Sequence, residues 1–256
     1  LWMERFQLAL LDREDDLAET CLFEATRALP AEPNGEALRW ELNLHHAEFQ
    51  YWVRGDAEAA LAFLEDVPAH LQHIEHPFLR LHLLIATGDF EAAHGALRPL
   101  LAHRPGDLEV ELLQAEVLAG LENWKALLPY LEQLPIEARN QAVFWHLRGL
   151  ALVHLGDAFH SRLDLERAAH LEPTTLRYVL DAGHGCVELG EWERSEAHWR
   201  QALRLDPTLE EALVQLAEAK RMGHDLPGAR QLLRECLTHH PTSEEAQIRL
   251  AELEAN

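Results

Sequence analysis

Three arrangements in this 256-residue chain have residue types that could do chemistry. His70, His73 and His76 stand three apart, so a helical turn there would present two imidazoles to a metal ion. His184 and Cys186 offer a nitrogen and a sulfur one residue apart. His45-His46 and His239-His240 are adjacent pairs, and neighbours on a helix point apart, which makes them poor chelates. None of these sets supplies the three or four converging donors that a metal site needs. The expectation is therefore no metal and no cofactor. Cys21, Cys186 and Cys236 form an odd, scattered set without a CxxC spacing. They read as small packing residues in a reducing compartment, and the expected location is cytoplasmic. No nucleophile elbow, phosphate loop, HExxH or dinucleotide glycine pattern is present, and no spacing singles out a triad. No catalytic residue is assigned, and a non-enzymatic role is expected.

Charge narrows the partners. Forty-four acidic side chains against 22 basic ones give a formal charge of −22. Nucleic acid and anionic membrane both require basic patches, so neither is expected. A basic or amphipathic protein segment fits better. No apolar run approaches the ~20 residues that span a bilayer. The chain opens on Leu1 rather than methionine, which motivates an alternative reading as a domain cut from a larger protein.

The elements that must position these residues repeat along the chain. From Leu176 to Pro207, Val179, Ala182, Gly183 and Cys186 fall on one helical face, and Trp192, Ser195, Trp199 and Ala202 on a second. Gly190-Glu191 is the turn between them. Gly183 lies inside its helix, where glycine costs roughly 0.5–1 kcal/mol against alanine. That predicts close approach of another helix. Pro173, Pro207 and Pro241 are spaced by 34, and Pro105 fits the same frame with Arg139 at the missing midpoint. The turn glycines Gly55, Gly88, Gly156 and Gly190 follow, with Gly120 and Gly223 slightly out of register. A small residue recurs in the second helix as Ala60, Ala93, Ser161, Ser195 and Ala229. Pro99 and Pro129 fall inside second helices and predict a kink or a late helix start at each.

A 34-residue helix–turn–helix of this kind resembles the tetratricopeptide repeat (TPR) superfamily. The matching residues include Trp145, Gly149, Gly156, Asp157, Ala168 and Pro173 in one unit. In the next they are Gly183, Gly190, Trp192, Trp199, Ala202, Leu203 and Pro207. Arg139 and Glu48 depart from it, where proline and a small residue are usual. The resemblance implies an all-α fold, a superhelical array of antiparallel helix pairs forming one solenoid over 1–256. The expected divisions are a degenerate first pair at 1–32 and a second pair at 35–70. Repeats follow at 74–107, 108–141, 142–175, 176–209 and 210–243, and 244–256 forms a C-terminal capping helix.

In this family the first helices line a concave side, so the resemblance also nominates a groove. Its residues here are His45, Phe49, Trp52, Phe78, His82, His146, Leu150, Val153, Arg177 and His184. Some members grip chaperone C-terminal carboxylates with lysine, arginine and asparagine at groove positions. The corresponding residues here, His45, His82, His146, Leu150 and Glu218, do not supply that clamp. The expected function is a scaffold holding a peptide or helix of a partner, with groove histidines that charge between about pH 5 and 8. The alternative is a regulatory or positioning domain of a larger enzyme or transcription regulator. Self-association through the Trp2/Phe6 end is a further expectation.

Overall fold

The computed structural model describes residues 2–29, 36–64 and 77–255, all secondary structure among them being helical. The histidines at 70, 73 and 76 lie outside the described residues. The chain divides into two compact units, Leu1–Val110 and Glu111–Asn256.

The N-terminal unit contains α1 (Trp2–Leu11), α2 (Asp15–Arg27), α3 (Glu36–Phe49), α4 (Ala57–Ala62), α5 (Pro77–Ala86) and α6 (Phe90–His103). Helix α3 runs on into a π-helical turn, Gln50–Arg54, before Gly55 ends it in the left-handed region at φ 72°. Helix α7 (Leu108–Gly120) begins just before the boundary. The C-terminal unit continues with α8 (Trp124–Gln133), α9 (Ala142–His154), α10 (Ala158–Leu171), α11 (Leu176–Glu188) and α12 (Trp192–Leu205). Then come α13 (Glu210–Met222), α14 (Leu226–His239) and α15 (Glu244–Ala255). Each of α9, α11 and α13 packs on the helix that follows it, and α10, α12 and α14 pack in turn on the next first helix.

The turns obey a stricter rule than the glycines suggest. Besides Arg13 and Gly106, positive φ occurs at the turns Gly55, Gly88, Glu122, Gly156, Gly190 and His224; the rule concerns these six. From Gly88 onward these positions are 34 apart, so the structure moves two turns from Gly120 and Gly223 to Glu122 and His224. The register was never broken; two repeats use a residue with a side chain where glycine is favoured. At four of the six the next residue caps the second helix through its side chain; Asn123 and Glu191 do not. Asp56, Asp89, Asp157 and Asp225 each accept the N–H of the residue three further on, at 2.9–3.2 Å.

The interior of the C-terminal unit rests on one fit repeated. A β-carbon added at Gly183 would lie 2.8 Å from two atoms of the Trp199 ring. One repeat earlier, a β-carbon at Gly149 would meet Leu165 at the same distance. Trp199 is fully buried among Val179, Ala182, Ala202 and Leu216. Burying an indole of this size contributes roughly 4–6 kcal/mol before conformational entropy. The glycine is thus the counterpart of the tryptophan. The recurring small residues Ala60, Ala93, Ser161, Ser195 and Ala229 are all fully buried as well.

The expected late helix starts at Pro99 and Pro129 need correction. Helices α6 and α8 begin at Phe90 and Trp124 and continue through Pro99 and Pro129, so neither starts late. Both prolines are exposed, and so are Gly95 and Lys125, whose carbonyls lose an amide partner. The missing hydrogen bond therefore falls on the wet side of each helix. At Arg139 the link into α9 is a 3₁₀ turn, Ile136–Asn140, and the Trp145 indole donates to the Arg139 carbonyl at 2.7 Å. That turn replaces the usual proline stop.

Candidate interaction surfaces

In the N-terminal unit, α3 carries the candidate surface. Leu38, Glu41, Leu42, His45, Phe49 and Trp52 follow helical spacing along one side. At its start, Leu38, Leu42 and His45 line a largely apolar cavity of about 410 Å³ together with Trp2 and Met3 of α1 and Leu29. At its end, the π-helical turn sets Trp52 out into solvent, 64% exposed. The Trp52 ring lies edge-on to His82 of α5, 6.0 Å between centroids. Arg54, at the end of the same turn, is bound to Asp16 and Glu19 of α2 at 2.6 and 2.9 Å.

Not all the residues expected on this surface reach it. Phe49 is 2% exposed and packs edge-on to Phe6 in the core. Phe78 is 9% exposed beneath the Arg104 guanidinium. Both are covered by their own chain because they fill the seams between neighbouring helices. Phe6 is buried too, which leaves Trp2 and Met3 as half-buried apolar residues at the α1 end. His45 is half-buried beside Glu48, whose hydrogen bond raises the imidazole above its ordinary pKa against the opposing cost of burial. Its neighbour His46 is enclosed, stacked on Phe63 at 4.7 Å, and burial lowers its pKa.

The C-terminal unit treats its first-helix histidines differently. His146 of α9 is 1% exposed, and its Nε2 lies 2.6 Å from Asp181 Oδ2 on α11. His184 of α11 reaches Glu211 of α13 over the same distance. Arg249 of α15 meets Glu218 of α13 at 3.7 Å. A first helix is thus tied to the next by a polar bridge at three successive steps. His146 was expected to face a ligand; it is instead enclosed, against the Tyr178 ring at 4.7 Å. Leu150 and Val153 are half-buried, and Val153 packs on the core around Trp199. Arg177 is exposed, and its charge acts on Glu116 of α7, whose carboxyl is nevertheless raised by burial. Burial likewise pushes the Tyr178 hydroxyl up to about 12.

The acidic partners were missed because a histidine's bridging residue lies on another repeat. Asp181 follows His146 by 35 and Glu211 follows His184 by 27. No single period links the two pairs. One further group has the composition of a metal site. Glu166, Cys186 and His198, on α10, α11 and α12, hold donor atoms within 4.8 Å of one another. No helix of the described residues is long and apolar enough to cross a membrane.

Residues 210–253 match the sequence profile of the family described as Tetratricopeptide repeat. The chicken (Gallus gallus) protein DnaJ homolog subfamily C member 3 is 22% identical over 200 residues, covering 72% of this chain. The chain spans 40% of that relative's length. Among solved structures, the APC/C hetero-tetramer Cut9–Hcn1 aligns over 93% of this chain and 48% of its own, at 14% identity and a TM-score of 0.68. YrrB, described as a TPR protein with an unusual peptide-binding site, aligns over 81% of this chain and 98% of its own, at 14% identity and a TM-score of 0.55. Both structures are similar in fold.

Proposed function

We propose, for a chain whose helix pairs are of the tetratricopeptide type, that it is a protein-interaction scaffold whose N-terminal unit grips an amphipathic, basic segment of a partner. The observation that carries this reading is the α3 side from Leu38 to Trp52. It joins an apolar cavity of about 410 Å³ to a 64% exposed indole. An apolar cavity at one end of a helix side and an exposed tryptophan at the other supply two separate anchors, and aromatic anchors of this kind dominate binding energy at interfaces. Glu41 lies on the cavity rim, and the unit's 20 acidic against 8 basic side chains (a difference of −12 over residues 1–110) select a cationic partner. YrrB, similar in fold, is described as having a peptide-binding site. In the C-terminal unit the His–carboxylate bridges occupy the polar groups a ligand would use.

The test is capture of interacting protein from native lysate by the intact chain and by two variants of preserved helicity. Leu38→Glu with Trp52→Ala is expected to lose capture at least tenfold. Leu150→Asp with His184→Asp is expected to retain it. The reverse outcome would transfer the site to the C-terminal unit. Recovery of only the chain itself would identify self-association through the Trp2 end. A second reading, a positioning domain within a larger protein, is favoured by the match to part of a longer relative. Its test is the full open reading frame, where a catalytic or DNA-binding module beside the array would support it.

A further inference from the structure

We propose that Glu166, Cys186 and His198 form a site for a thiophilic divalent cation of the zinc class, pinning α10, α11 and α12 together. Glu166 Oε1 is 3.6 Å from Cys186 Sγ and 3.6 Å from His198 Nε2. All three donor atoms lie within 4.8 Å of one another. A tetrahedral zinc ion with bonds of about 2.0–2.3 Å separates its donors by roughly 3.3–3.7 Å. Two of the three separations therefore stand near the required length before any ion arrives. One sulfur, one nitrogen and one oxygen donor suit zinc or cobalt and do not suit magnesium or calcium.

The surroundings divide into a support and a competitor. Arg162 Nη1 holds the other carboxylate oxygen, Oε2, at 2.6 Å and is itself enclosed. That is the outer hydrogen bond that orients a ligating carboxylate. Arg194 Nη1 sits 3.3 Å from both oxygens on a side chain that is 57% exposed. Its contact is long and its head can return to water, so it is the cation that the metal displaces. Glu191 lies 3.5 Å from both arginines and balances the charge that remains. Burial lowers the His198 pKa, against the opposing pull of Glu166; the imidazole ligates through its unprotonated Nε2. Burial also pushes the Cys186 thiol up to about 12. Binding therefore releases one proton: the S–H bond breaks, the proton goes to solvent, and the sulfur lone pair goes to the metal. A water from solvent completes the tetrahedron.

This donor set belongs to one repeat alone. Thirty-four residues on, the same positions hold Arg200, Lys220 and Leu232, and there Glu196 binds Arg200 and Lys220 at 2.6 and 2.9 Å. One repeat on, this corner holds only ion pairs; at Glu166 the ion pairs with Arg162 and Arg194 are joined by a thiol and an imidazole.

Cobalt titration of the reduced chain, followed by absorption, reads the site through its thiolate-to-cobalt charge-transfer band. One equivalent is expected to saturate it, and zinc to bleach it. Cys186→Ser is expected to remove the band with circular dichroism unchanged, and His198→Gln to weaken binding at least tenfold. Arg194→Gln, at an exposed position, is expected to tighten it, which an ordinary salt-bridge cluster would not do. Absence of the band in the intact chain, or its persistence in Cys186→Ser, overturns the proposal. The second result would assign it to Cys21 or Cys236. Arg194→Gln with unchanged or weaker affinity would overturn the displacement of that arginine.

Discussion

The two units put the same residue type, histidine on a first helix, to opposite uses. In the N-terminal unit His45 pairs with Glu48 on its own helix and still lines a cavity. In the C-terminal unit His146 and His184 cross to the next first helix and close the gap between repeats. An intrahelical pair leaves the neighbouring surface free; a bridge between helices uses it. What distinguishes a recognition surface from a structural seam here is the partner a polar group finds, and not its position in the repeat.

The difference can be broken most forcefully at Gly183. Gly183→Ala drives a β-carbon against the rigid Trp199 ring and is expected to cost about 1–3 kcal/mol. Urea unfolding followed by tryptophan fluorescence would report it. Gly149→Ala should cost less, because Leu165 can change rotamer where an indole cannot. If partner capture by the Gly183→Ala chain falls although it remains folded, the N-terminal unit is not the recognition element.

Next in size is the paired change Leu38→Glu and Trp52→Ala. Both side chains are exposed, so stability should move by no more than about 0.5 kcal/mol while binding drops tenfold or more. Isothermal titration with the captured segment separates those two readouts.

Acid sharpens the contrast within the N-terminal unit. Burial lowers the His46 pKa, so the unfolded chain binds a proton more readily. The stability this gives is present above the unfolded value near 6.5 and is lost as pH falls below it. His45, raised by Glu48, acts with the opposite sign: its contribution is present at low pH and is lost as pH rises through its folded value. Thermal midpoints from pH 8 to pH 5 should fall, and His46→Gln should flatten the fall while His45→Gln steepens it. His198 adds a loss of the same sign as His46 in the C-terminal unit.

The smallest effect is at the turns. Glu122→Gly and His224→Gly each relieve a left-handed residue and should stabilise by about 0.5–1 kcal/mol. A destabilisation at either would mean that the side chain makes up for its backbone strain.

Much of this was legible in the chain itself. The helical class and the turns at Gly55, Gly88, Gly156 and Gly190 were legible in the spacing, because each depends on residues close in sequence. Gly183 announced a close approach, although only the structure identified Trp199 as the side chain that needs the space. The groove was read less well. His146, Phe49 and Phe78 occupy first-helix positions that a periodic reading turns toward a ligand, yet they are covered. The Glu166, Cys186 and His198 cluster had no signature at all, since its members come from three helices.

Sequence alone determined the local matters: that the chain is helical, which helix faces are apolar, and where glycine turns the chain left-handed. Tertiary structure decided which polar side chains meet. Repeats are joined by packing, and a small rotation or slide of one helix against the next exchanges a carboxylate for open solvent. That rotation is set by the summed fit of core residues such as Gly183 against Trp199, and no spacing along a single helix encodes it.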